Sequence, residues 1–150
     1  DAQWDQVIAV NLNGVFYFCR EVGCHMLQRG GGGRIINMAS IGGVVGVTTG
    51  NANYCASKGG IIAMSRSMAL EWAPHDILVN CISPSHIQTE LIKKLVEEKP
   101  ATKEYFLGNI PLGRLGEVED VVGAAIFLAS SAGKFITGHN LLVDGGHTAK

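Results

Sequence analysis

A chain of 150 residues that is 47% hydrophobic and 17% charged has the composition of a packed globular domain, not of a disordered or coiled-coil segment. Its formal net charge of −1, with no basic stripe, gives no support to a nucleic-acid partner or an anionic membrane surface. No apolar stretch reaches the roughly 18 residues needed to cross a bilayer.

The chain opens on Asp1-Ala2-Gln3-Trp4-Asp5, which reads as the first turn of a helix already under way and suggests a fragment of a larger domain. Residues 2–28 are expected to form that helix. Val7, Ile8, Val10, Leu12, Val15, Phe16, Phe18, Cys19, Val22, Met26 and Leu27 cover nearly its whole circumference, so it should be buried on most sides. Asn11 and Asn13 fall inside this run, each either a satisfied core amide or a placed functional group. The glycines Gly30 to Gly33 stop the helix; they precede a strand, so they are not a phosphate loop.

Residues 35–39 read as a short buried strand with Ser40 at its carboxyl end, where chemistry gathers in open parallel sheets. A Gly/Thr/Val loop leads to a helix that starts near Tyr54 and carries Gly59 and Gly60 at a cost of roughly 1 kcal/mol each relative to Ala, tolerated where another backbone comes close. Residues 77–82 form a second, near-continuously apolar strand, ended by Pro84. Residues 90–98 make a short amphipathic helix; 99–115, with Pro100 and Pro111, read as an irregular stretch able to serve as a lid. A helix over 118–130 and a strand over 138–143 complete the chain. Strands alternating with helices mean right-handed crossovers and an α/β fold with a doubly wound parallel sheet.

Within Tyr54-Cys55-Ala56-Ser57-Lys58, the tyrosine and lysine are four apart and share one helix face. A free tyrosine, with a pKa of roughly 10, exchanges protons poorly at neutral pH, and a neighbouring cation favours its phenolate. Tyr54 is thereby a candidate general acid or base for an alcohol or carbonyl. The cysteines Cys19, Cys24, Cys55 and Cys81 lack zinc-ligand spacing and read as reduced core residues of a cytoplasmic protein. The scattered histidines form no i, i+4 pair, which argues against a metal site.

Taken together, Val10-Asn11-Leu12-Asn13-Gly14, Ile36-Asn37-Met38-Ala39-Ser40, Tyr54-Cys55-Ala56-Ser57-Lys58, Val79-Asn80-Cys81-Ile82-Ser83-Pro84 and Val143-Asp144-Gly145-Gly146 resemble the short-chain dehydrogenases/reductases across essentially the whole chain. The resemblance implies a Rossmann-like fold of which residues 1–150 are the C-terminal, catalytic half, and an NAD- or NADP-dependent oxidoreductase interconverting a secondary alcohol and a ketone. It assigns proton exchange to Tyr54, support of Tyr54 and contact with the nicotinamide ribose to Lys58, a hydrogen bond to the substrate oxygen to Ser40, and a proton-relay water to Asn11. It places Pro84, the Ile87 backbone and Thr89 on the nicotinamide-contacting loop. Two departures stand out: Ser40 lies fourteen residues before Tyr54, one more than is commonest, and Ser85 replaces the usual glycine after Pro84.

The family's Gly-rich nucleotide-binding half has no counterpart in the sequence, so about three of its seven strands are expected here and the first should present an open apolar edge. The resemblance also implies a homodimer or homotetramer built on the long helices. A silent oligomerising fragment is therefore the alternative to an enzyme. An enoyl-acyl reductase is less well matched, because the tyrosine and lysine of those relatives usually lie further apart.

Overall fold

The computed structural model describes residues 1–47 and 50–149. Its three strands, β1 (Gly33–Met38), β2 (Ile77–Pro84) and β3 (Asn140–Val143), form one parallel sheet in the order β1-β2-β3. β1 joins β2 through helix α3 (Ala52–Trp72), and β2 joins β3 through α4 (Glu90–Glu98), α5 (Pro100–Asn109) and α6 (Val118–Ala129). Alternation sorts the sheet's side chains. Ile35, Ile77 and Val79 pack with Cys19, Met68, Ala69 and Trp72 of the helices on one face, while Leu78, Asn80 and Ile82 are buried on the opposite face, where α6 lies across all three strands. Helices on both faces make the sheet doubly wound, and β1 forms one of its edges among the described residues.

The first helix departs from expectation in two ways. It is α-helical over α1 (Ala2–Ile8) and α2 (Gly14–Arg29), with a π-helical turn, Ala9–Asn13, between them. Nor is it buried on most sides: Val10 and Phe18 are 67% and 73% exposed, and Phe16 and Tyr17 are exposed too. One flank of the helix rests on β1 and α3, and no described element covers the other. Cys24 is likewise exposed, unlike Cys19 and Cys81, which are buried; all four thiols are free.

The segment over residues 99–115 is not irregular. Pro100 starts α5 in the position where its missing N–H costs nothing, and Phe106 anchors a small cluster with Ile110 and Leu115 against Ile92, Leu95 and Leu107. β3 starts at Asn140, not at residue 138, although the chain already meets β2 there: Gly138, at a φ of 69°, donates to the Val79 carbonyl (2.8 Å), and the Asn80 side chain accepts from the His139 N–H (2.9 Å).

The helix glycines do meet close neighbours. Leu12 of the π turn lies 3.0 Å from where a Gly60 Cβ would stand, and a Cβ on Gly43 would sit 2.7–2.8 Å from backbone atoms of Lys58 and Gly59. Gly43→Ala is expected to lower stability by about 1–3 kcal/mol, measured by denaturant unfolding. Gly46→Ala, which has open space around its Cβ, should change it by less than about 0.5 kcal/mol; equal effects would mean that the Gly43 contact is not tight.

Candidate active site

Three chain segments converge at the carboxyl end of the sheet. After β1, the ladder continues for one residue, Ala39 N–H donating to Ile82 O at 2.8 Å. Ser40, extended and 9% exposed, then caps a 3-10 turn, Ile41–Gly43, by accepting from the Gly42 N–H at 3.1 Å. A hydroxyl that accepts in this way keeps its own proton to donate.

On α3, the Lys58 ammonium lies 5.7 Å from the Tyr54 ring centroid and donates to the Met38 carbonyl at 3.0 Å. Burial holds its pKa below the ordinary lysine value. Asn11, in the π turn, donates to Ser57 Oγ at 3.3 Å, and Ser57 donates to the Tyr54 carbonyl at 2.7 Å. The extra residue of a π turn re-aims side chains and often marks a functional position. Here it carries Asn11 against the turn that bears Tyr54 and Lys58.

The opposite wall comes from the segment after β2. Ile87 bridges Gly116 in parallel fashion, with Gln88 N–H donating to Gly116 O (2.8 Å) and Gly116 N–H to His86 O (3.0 Å). Thr89 caps α4 by accepting from the Ile92 N–H at 3.4 Å. Between the walls lies a cleft of about 530 Å³, lined by Ser40, Tyr54, Ile87 and Thr89 and by apolar groups including Leu91, Ile92 and Leu95. Pro84 ends β2 outside the cleft lining and Lys58 stands behind Tyr54. The structure thus gathers Asn11, Ser40, Tyr54 and Lys58 at one sheet end, beside Ile87 and Thr89. Thr48 and Thr49, in the Gly/Thr/Val loop that leads to Tyr54, lie outside the described residues.

Sequence reasoning did not single out His86, which meets Phe106 in the cleft. Their rings stack in the cleft wall at 3.7 Å and 14°. Burial, with a smaller contribution from His147, lowers the His86 pKa from 6.5 to about 4. The rule that drew attention to Ser40, a polar residue just past a strand's carboxyl end, applies equally to His86, two residues after Pro84.

The family model described as "Enoyl-(Acyl carrier protein) reductase" matches residues 1–148. The chain belongs to the short-chain dehydrogenase/reductase family. It is 44% identical over 147 residues to an NAD-dependent glycerol dehydrogenase of Listeria innocua serovar 6a (98% of this chain, 56% of that one). It is 41% identical over 149 residues to a galactitol 2-dehydrogenase (L-tagatose-forming) of Cereibacter sphaeroides (99% and 58%). A crystal structure of a gluconate 5-dehydrogenase from Burkholderia cenocepacia J2315, in complex with NADP and tartrate, superposes with a TM-score of 0.93 at 36% identity, covering 100% of this chain and 58% of that one. The chain therefore spans just over half the length of these relatives, and its α/β, parallel-sheet architecture is the Rossmann-like fold of the family.

The His86 shift has a consequence for stability. Between pH 6.5 and about 4 the imidazole binds a proton in the unfolded chain but not in the folded one, so stability falls as the pH drops through that window. His86→Gln should flatten the stability–pH slope there, measured by denaturant unfolding at several pH values; an unchanged slope would contradict the burial of a neutral His86.

Proposed function

We propose that residues 1–150 are the catalytic portion of an NAD(P)-dependent dehydrogenase/reductase that interconverts a small, hydroxyl-rich secondary alcohol and its ketone. The observation that carries this reading is that Ser40 and Tyr54 line one cleft while Lys58 stands 5.7 Å from the Tyr54 ring. The names of the relatives support the substrate class, being dehydrogenases of glycerol and galactitol. They support either cofactor: one is NAD-dependent and another was solved with NADP. The N-terminal, nucleotide-binding half of the enzyme would accompany this portion, in keeping with its 56–58% share of those relatives.

The residues present fit a nicotinamide cofactor. Lys58 has three N–H donors and, among the described residues, one hydrogen-bond acceptor, the Met38 carbonyl. The others can serve ribose hydroxyls and the Tyr54 oxygen. Tyr54, Ile87 and Thr89 present the cleft wall on which the nicotinamide would rest, with Pro84 fixing the start of that loop. When bound, the cofactor supplies or accepts the hydride.

The chain's own residues handle the proton. In the direction of ketone reduction, the Tyr54 hydroxyl gives its proton to the substrate oxygen. The Ser40 hydroxyl donates a hydrogen bond to the same oxygen and stabilises its developing negative charge. The Lys58 charge favours the phenolate left on Tyr54. Asn11, held against Ser57 at 3.3 Å, positions a water through which Lys58 recovers a proton for Tyr54. In alcohol oxidation each transfer reverses. The exposed apolar side chains of α1 to α2, Val10, Phe16 and Phe18 among them, suit pairing of subunits into a dimer or tetramer.

In the full-length protein, Tyr54→Phe should lower kcat by about 10²–10⁴-fold with little change in unfolding midpoint, and near-normal turnover would overturn the role of Tyr54. Lys58→Met should shift the pH profile of kcat upward and weaken nicotinamide binding. An unmoved profile with normal cofactor affinity would remove Lys58 from the mechanism.

A further inference from the structure

Of the polar side chains that line the cleft, most already have assigned work. Ser40 and Tyr54 face the reacting oxygen in the mechanism above, Thr89 caps α4, and the Ser85 hydroxyl lies 3.4 Å from His147 Nδ1. His86 is different. Its backbone carbonyl is pinned by the Gly116 N–H at 3.0 Å and its ring is held face to face with Phe106, yet among the described residues neither ring nitrogen has a hydrogen-bond partner. A half-buried ring with neither nitrogen bonded to the protein, in a wall shared with Ile41, Ile92 and Leu95, leaves one donor and one acceptor for whatever occupies the cleft.

We propose that His86 is a specificity-determining residue, whose imidazole exchanges hydrogen bonds with a hydroxyl of the substrate other than the one being oxidised. This rests on the dehydrogenase reading of the same cleft and adds to it the group that selects a polyhydroxylated substrate over a simple alcohol. A neutral imidazole offers one donor and one acceptor nitrogen, the same pair of roles that a hydroxyl offers in return; an imidazolium would offer donors alone. Burial keeps the ring neutral at neutral pH, its pKa being about 4. The stack on Phe106 fixes the plane of the ring, and with it the directions in which both nitrogens point. Such an anchored group discriminates strongly, because a substrate lacking the hydroxyl leaves a buried polar atom unpaired.

The test uses the full-length protein and a panel of vicinal polyols, such as glycerol and galactitol, set against mono-alcohols of similar size, such as 2-butanol. His86→Phe keeps an aromatic ring on Phe106 and deletes the nitrogens; His86→Gln keeps a donor and an acceptor and loses the ring. His86→Phe should lower the ratio of kcat/KM for polyol over mono-alcohol by about 10–100-fold, mainly through KM for the polyol, while His86→Gln should retain more of that ratio than His86→Phe. Unfolding midpoints of the two variants separate loss of recognition from loss of fold. A ratio unmoved by His86→Phe in a protein active on the panel would overturn the His86 assignment alone. A wild-type protein inert toward every alcohol of the panel would overturn the dehydrogenase reading, and this proposal with it.

Discussion

The site depends on one close approach of backbone to backbone, where the turn after β1 meets the second turn of α3. A side chain on Gly43 would enter the space occupied by Lys58 and Gly59, so only glycine lets that turn lie flat on the helix. With the turn seated, the Met38 carbonyl comes within 3.0 Å of the Lys58 ammonium, and Ser40 and Tyr54 face one cleft. Gly59 and Gly60 weaken the helix by roughly 1 kcal/mol each relative to alanine. The second of them admits Leu12, which seats the π turn and hence Asn11. Helix propensity is given up locally so that three separate segments can share a few ångströms.

The other wall is held by a different device. The turn carrying Gly116 is shaped by Arg114, whose guanidinium grips the Asp120 carboxylate at 2.6 and 3.0 Å, while Asp120 also accepts from the Glu117 N–H at 2.8 Å. The Arg114 hydrogen bonds and charge hold the Asp120 carboxyl at about 2, well below its usual range. At an exposed position such a pair adds little stability; its contribution is geometric. It sets the turn against which His86, Ile87 and Gln88 are hydrogen-bonded, and so fixes the loop that would meet the nicotinamide.

The parallel sheet, the place of its three strands along the chain and the Tyr54–Lys58 helix face were legible in the sequence because each rests on local periodicity or on the position of a residue within its own element. Ser40 was found by the same logic. The remainder depended on contacts between distant segments. The apolar circumference of α1 and α2 says that Val10 and Phe18 want cover, but not that this chain supplies it, and here it does not. α5 was obscured by its polar positions, since a single large anchor, Phe106, suffices to dock it beside α4. The His86–Phe106 stack joins residues twenty apart, which no periodicity reports. The π turn left no signature beyond an amide inside an apolar run.

The cleft between the segments that follow β1 and β2, with Lys58 behind Tyr54, would hold the reactive end of a nicotinamide cofactor. Its most direct test is a titration of the full-length protein with NADH and with NADPH, followed by nicotinamide emission. Such a site predicts a saturable change with at least one of them. No saturable change with either would contradict it, and would favour an oligomerising protein whose relatives' chemistry it no longer performs.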